Sequence, residues 1–406
     1  MNADAKALAA GFDLEKLTPQ FYDDPYPTYR ALRENEPVKR LRSGTVFLTR
    51  YDDLVTTYKN TKSFSSDKKR EFAPKYGDTP LYEHHTTSLV FNDPPSHTRV
   101  RRLIMGALSP RAIAGMESDI VKLVDGLLDA IAAKGACELI EDFAASIPIE
   151  VIGNLLDVPH EERGPLREWS LAILGALEPV VSPDAATRGN NAVKDFLAYL
   201  DTLVARRRAK PGNPERDVLT RLIQGEENGE RLTEKELLHN CIFLLNAGHE
   251  TTTNLIGNGL VALDRNPDQK QRLTGNPDMI KTAVEEVLRY ESSNQLGNRM
   301  TTEPVELGGV MLEAGTSVTL CIGAANRDPA QFADPERFDI ARTPNRHLAF
   351  ATGVHQCAGM ALARLEGAIA ISRFLGRFPN YAVSGQPTRG GRVRFRGFLS
   401  VPCTIG

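Results

Sequence analysis

Apolar positions recur at helical spacing over most of this chain, and the longest such run is Leu237 to Leu263. Its apolar residues cover nearly the whole circumference, which predicts a buried helix, not a surface one. Thr233 followed by Glu236 supplies the capping box expected at its start. An earlier helix is predicted from Asp24 to Arg33, with prolines at its entry. From about Arg99 to Arg208 amphipathic helices dominate, with breaks predicted at Pro148, Pro159 and across Glu178–Pro183. Alternation replaces helical spacing at Pro37–Arg40 and Val46–Thr49, two short strands around a turn at Ser43-Gly44. After Glu285 short strands and turns are predicted: Val305 to Leu312, Ser317 to Leu320, and the segment from Tyr381 onward. Lys62 to Pro95 shows no clear period and many turn residues, the signature of a long functional loop. No repeat or low-complexity linker divides the chain. The pattern predicts one domain over residues 1–406, mainly α with a smaller β-rich part.

Composition narrows the class. With 406 residues and 41% apolar content, the chain can bury a large core. A net charge of −3, with signs interspersed, gives no reason to expect nucleic-acid binding. The first ten residues have no sustained apolar core and no basic start, so neither a signal peptide nor a membrane anchor is expected. The five cysteines, Cys137, Cys241, Cys321, Cys357 and Cys403, are scattered and odd in number. Neither a disulfide framework nor a zinc site follows from them, and a cytoplasmic location is expected.

One cysteine stands in unusual company: Phe350-Ala-Thr-Gly353-Val-His355-Gln-Cys357-Ala-Gly359. Glycines on both sides allow a tight turn, and the apolar, helix-length run Met360–Ile371 follows at once. A thiol where a loop enters a helix sits in the positive field of the helix N-terminus, which favours thiolate. Thiolate is the form that ligates iron. An isolated free cysteine is usually a small packing residue; the flanking Phe, His and Gly argue for ligation.

The long apolar helix carries a second anomaly, Ala247-Gly248-His249-Glu250-Thr251-Thr252. Glycine weakens a helix by about 1 kcal/mol relative to alanine, and a buried Glu must be paired or hydrogen-bonded. Back-bonding threonines that bend the helix would be a purely structural explanation. His249 points about 100° away from Glu250 and is read as packing. Further along, Glu286 and Arg289 lie three apart on one helix face. His97 and Arg101, in Asp93-Pro-Pro-Ser-His97-Thr-Arg-Val-Arg101, lie four apart and face the same way.

The Phe350–Gly359 segment closely resembles the haem-ligand loop of the cytochrome P-450 family, and the resemblance extends over nearly the whole chain. It implies a triangular, mostly helical prism around a buried haem b. Cys357 would be the axial ligand of the iron, with Phe350 and Gly359 completing the loop and His355, His97, Arg101 and Arg299 meeting the propionates. Where the family usually has Gly after the Phe, this chain has Ala351. The family's Gly-x-Asp/Glu-Thr motif places Glu250 and Thr251 as the proton relay that serves dioxygen. Glu286 and Arg289, with Arg337 of Pro335-Glu-Arg337-Phe338, would form a structural triad.

The implied reaction is a monooxygenation: one oxygen atom of O2 enters a small or medium lipophilic organic substrate. The alternative is a haem-thiolate protein that is not an oxygenase, such as a peroxide-dependent isomerase, a dehydratase or a ligand-binding protein; the intact Glu250–Thr251 pair favours the first. The chain has no flavin fingerprint and no iron–sulfur cysteine pattern. The resemblance therefore implies an iron–sulfur ferredoxin and a flavin-dependent ferredoxin reductase, with NAD(P)H acting only through them. Arg364, Arg102 and Arg346 are candidate docking cations for an acidic ferredoxin; Arg99 is read as a solvated helix face. By the same resemblance the substrate pocket falls at Tyr82, Leu89 and Val90; at Leu244, Ala247 and Gly248; at Asn294, Gln295 and Gly297; and at Phe398.

Overall fold

In the computed structural model, residues 3–214, 217–225 and 231–406 are described. The buried helix runs unbroken from Glu234 to Arg265, and both halves of the Thr233–Glu236 capping box are made. Other helices wrap it because it offers apolar side chains in every direction. Ser146–Leu155, Leu166–Gly175 and the cysteine-side helix Met360–Arg377 pack directly on it. The largest apolar core gathers around these contacts.

The smaller β part is a five-stranded sheet ordered Val38–Arg40, Val46–Leu48, Ser317–Cys321, Leu296–Thr301, Phe64–Ser65. Leu48 lies opposite Leu320 in its one parallel pair, and Arg299 opposite Val318 in an antiparallel pair. That register fixes where Arg299 enters the interior. The C-terminal strands Ala382–Val383 and Pro402–Thr404 pair in a small sheet with Cys137–Glu138.

Three expectations need correction. Lys62–Pro95 is not mainly loop: it contains helices Lys69–Tyr76 and Pro80–Thr87 and a helical turn at Leu89–Phe91. These helices are too short to show a period, and Thr79 caps the second through its side chain. Pro148 does not break a helix but lies in the first turn of Ser146–Leu155, where no intrahelical N–H bond is lost. The change from helix to strand comes after Tyr290, not at Glu285.

Candidate active site

The cysteine loop is a sequence of constrained turns. Gly353 has φ +75°, and a Cβ there would lie 2.7 Å from the Tyr58 carbonyl oxygen, so only glycine fits. Ala351 is also left-handed, with φ +53°. Its side chain makes that angle unfavourable, which is the local cost of having Ala where Gly is easier. Gly359 differs: it precedes the helix with φ −90° and has open space at its Cβ position. Its lack of a side chain leaves room toward the interior.

The Cys357 amide donates to the Phe350 carbonyl at 3.0 Å. Cys357 lies deep in the molecule, yet it is the one cysteine that is not covered, because it opens onto an internal cavity of ≈ 510 Å³. Burial raises its pKa, while the Gly359 amide and the guanidinium groups of Arg101 and Arg364 oppose that rise. Arg364 stacks 4.6 Å over the Phe350 ring and forks onto Glu285 at 2.6 and 2.9 Å.

Four basic side chains gather at the rim of the same cavity. The His97 and His355 rings are 4.0 Å apart, and His97 Nδ1, His97 Nε2 and His355 Nε2 have no protein partner. Arg101 donates to the Gln356 carbonyl at 2.6 Å, and buried Arg299 to the Asn298 carbonyl at 2.7 Å. Burial is the main cause that lowers the pKa of His97 to about 4 and that of His355 to about 2, and Arg101 and Arg299 lower both further. Buried donors without acceptors are costly unless a ligand supplies them. A flat macrocycle carrying two carboxylates and bound through a thiolate fits this donor set. Cys357, His97, Arg101, Arg299 and His355 could hold a haem.

Opposite the loop, the central helix contributes Ala247, Gly248, Thr251 and Thr252 to the cavity wall. Gly248 lets Ile152 pack closely on the helix: a Cβ would lie 2.1 Å from Ile152 Cδ1, and that side chain would have to shift. Thr251 Oγ1 donates to the Ala247 carbonyl at 2.7 Å, and Thr253 Oγ1 to the His249 carbonyl at 3.1 Å. The back-bonding anticipated above is therefore present in an unbroken helix.

Glu250 is buried and turned off the cavity wall. Its Oε1 pairs with Arg392 at 2.5 Å while Oε2 has no partner. Burial pushes its pKa up to about 7 against the pull of Arg392. Arg392, from the C-terminal turn, carried no motif that would have revealed it. His249 is buried beside Ser170 at 3.4 Å, as a packing residue.

Seven of the ten expected pocket residues line the cavity: Leu89, Val90, Leu244, Ala247, Gly248, Asn294 and Gly297. Three do not. Tyr82 packs against the core outside it. Gln295 is fully buried and donates to the Ser292 carbonyl at 2.7 Å. Phe398 lies under the Arg389 guanidinium at 3.9 Å, and Phe395, bridged to Asn294, takes its place on the wall. Phe72, His84, His85 and Asn246 also line the cavity and were not anticipated. Glu366 was missed too: burial raises its pKa to about 8, and its Oε2 has no partner.

The structural triad also needs correction. Glu286 and Arg289 form a fully buried fork, with both bonds 2.8 Å long. The third member is Arg342, whose Nε reaches Glu286 at 3.1 Å. Arg337 is exposed and contributes only its backbone carbonyl, which accepts from Arg289 at 3.0 Å and Arg342 at 3.1 Å. The sharp turn between them carries Arg342 back to the carboxylate and leaves the Arg337 side chain outside. Among the described residues, no helix is long and apolar enough to cross a membrane.

Comparison with known proteins agrees with this geometry. The family model for cytochrome P-450 matches residues 176–388. The biotin biosynthesis cytochrome P-450 of Bacillus subtilis is 38% identical over 364 residues, covering 89% of this chain and 91% of the relative. The vitamin D(3) 25-hydroxylase of Pseudonocardia autotrophica is 36% identical over 393 residues, covering 95% of each. Among solved structures, P450BioI in complex with hexadec-9Z-enoic acid ligated acyl carrier protein superposes with a TM-score of 0.90 at 36% identity. That match covers 95% of this chain and all of the other.

Proposed function

The chain belongs to the cytochrome P-450 family and is a monooxygenase, and on that premise we propose that Cys357 would hold the iron of a haem b through its thiolate and that Glu250 and Thr251 form the proton relay. The observation that carries this reading is the shared cavity. Cys357 opens onto it from the loop, and Thr251 lines it from the central helix.

Haem, when bound, supplies dioxygen activation: with two electrons and two protons, one oxygen atom enters the substrate and the other leaves as water. The side chains do the rest. His97, Arg101, Arg299 and His355 offer the donors that two propionates need. The Thr251 hydroxyl holds a proton at the cavity wall. Glu250, with a pKa near 7, exchanges protons with solvent at neutral pH. Arg392 fixes one of its oxygens and leaves Oε2 unbonded, available to pass the proton on toward Thr251.

Electrons come from an iron–sulfur ferredoxin and a flavin-dependent reductase that draws on NAD(P)H. Arg102 and Arg346 are exposed and are the docking candidates. Arg364 is committed to Glu285 and has a structural role instead. The substrate is a small or medium lipophilic molecule with an oxygen function, since most of the cavity's surface is apolar while polar side chains such as Asn294 and Thr251 interrupt it. The relative named a vitamin D(3) 25-hydroxylase is named for a lipophilic molecule with an oxygen function, of that general kind.

Turnover under 18O2 with a ferredoxin, its reductase and NADPH tests the reaction. One labelled oxygen atom in the product is expected; label arriving only from water, or equal turnover without O2, contradicts it. A screen by substrate-induced spin-state shift tests the pocket. Compact lipophilic ligands should give the spin-state shift, and a response only to macrocycles or long unbranched chains would overturn that part.

A further inference from the structure

Two side chains in the cavity wall are buried, polar and without any protein partner. His85 is 1% exposed and neither ring nitrogen is hydrogen-bonded. Asn246 is 3% exposed and neither its amide nitrogen nor its amide oxygen is bonded. Such groups are rare in folded proteins, because burial removes water without replacing its hydrogen bonds. Among the described residues the other unpartnered atoms on the wall are those of His97 and His355, at the rim already described, the single hydroxyls of Ser66 and Ser293, and Oε2 of Glu366.

Both residues reach the cavity wall from two helices that pack on each other. Helix Pro80–Thr87 packs on the central helix, where the His84 and His239 rings are 5.6 Å apart. Asn246 lies seven residues beyond His239, two turns and about 10 Å further along the same helix face. His85 is held by aromatic rings: Phe72, Tyr76 and Phe91 lie 5.7, 5.5 and 5.6 Å from it. That cage fixes the imidazole without satisfying its nitrogens.

We propose that His85 and Asn246 form a hydrogen-bonding subsite that recognises a neutral oxygen function, a carbonyl or hydroxyl, on an otherwise apolar substrate. The proposal rests on reading the cavity as the substrate chamber. It specifies which side chains select the ligand and what they read. The chemistry favours a neutral group. Asn246 carries no charge, and burial, with Lys75 and Arg394 nearby, keeps the imidazole of His85 neutral. Each offers both a donor and an acceptor: a carbonyl accepts from the donors, and a hydroxyl can meet either. The two lysines on this part of the cavity wall are engaged: Lys68 bonds Glu71 at 2.6 Å and Lys75 donates to the Glu178 carbonyl at 2.9 Å. Satisfying the pair orients the ligand, so these residues determine which carbon lies nearest Thr251.

Spectral titration of the haem-loaded enzyme with matched probes tests this: 2-adamantanone against adamantane, and cyclododecanone against cyclododecane. In the wild type the ketone should bind about tenfold more tightly than its hydrocarbon, the order expected of one or two buried hydrogen bonds. His85→Phe and Asn246→Leu should each erase most of that preference while leaving hydrocarbon binding unchanged or tighter. His85→Gln, which keeps a donor and an acceptor, should retain part of it. Every variant must keep the thiolate-type carbon monoxide band; loss of that band in the wild type would count against the haem-thiolate site, not against this subsite. Equal binding of ketone and hydrocarbon in the wild type overturns the proposal, as does a preference that survives both substitutions. So does a response confined to adamantane-1-carboxylic acid that Lys75→Met abolishes.

Discussion

The loop below the cavity and the helices above it solve opposite problems. Below, the Phe350–Gly359 segment is fixed by its own backbone. Cys357 bonds back to Phe350, Gly353 lies where no side chain fits, and Arg364 locks against Phe350 and Glu285. Above, the helices present several groups that nothing in the protein satisfies, His85, Asn246 and Oε2 of Glu250, whereas in the loop below Nε2 of His355, at the rim, is in that state. A ligand atom that never changes is met by geometry built into the chain. In the function proposed above, a substrate and a moving proton are met by side chains left available.

If the lower region is the rigid one, breaking its frame should have the largest effect. Glu286→Ala strips the carboxylate from buried Arg289 and from Arg342, and should destabilise the protein by about 3–5 kcal/mol or prevent haem uptake. Arg342→Ala should cost measurably less, and Arg337→Ala, on the surface, should change urea unfolding by no more than about 0.5 kcal/mol. A larger loss from Arg337 than from Arg342 would contradict the triad described above.

Next in size is Thr251→Ala, which acts on the upper region alone. Substrate-induced spectral shifts should persist, while product formed per NADPH consumed falls about tenfold or more and hydrogen peroxide rises. Normal coupling would remove Thr251 from the relay.

Glu250 sharpens the contrast through pH. With its pKa raised to about 7, the turnover profile should show an inflection near neutrality that Glu250→Gln removes. The same shift bears on stability. The folded protein holds this proton to higher pH than the unfolded chain, in which the carboxyl titrates near 4.5. Stability from this group is therefore full below about 4.5 and is lost as pH rises through about 7. Unfolding midpoints should fall across that window in the wild type and less so in Glu250→Gln, with Arg392 unchanged in both.

The smallest predicted effect lies back in the lower loop. Ala351 has a left-handed backbone, so Ala351→Gly should stabilise the loaded protein by about 1 kcal/mol in denaturant titration. No gain would mean that the Ala351 methyl packs well enough to offset its strain.

The same contrast explains what the sequence made legible. The cysteine loop and the capped central helix could be read because their chemistry is local: a turn, a thiol and a helix start within ten residues, or Thr233 and Glu236 three apart. Arg342, Arg392 and Phe395 could not. Each acts across a long separation, and nothing at its own position marks the partner it meets in the fold. His85 and Asn246 were hidden for a different reason. An unsatisfied polar group becomes visible only when its surroundings are known, and helix Pro80–Thr87 was itself obscured by its shortness.

The central claim is that Cys357 is the thiolate ligand of a haem, and the reduced carbon monoxide difference spectrum tests it most directly. The wild type is expected to give the red-shifted thiolate band, and Cys357→Ala to lose it even if some haem remains bound. A wild type without that band, or a Cys357→Ala protein that keeps it, would contradict the assignment.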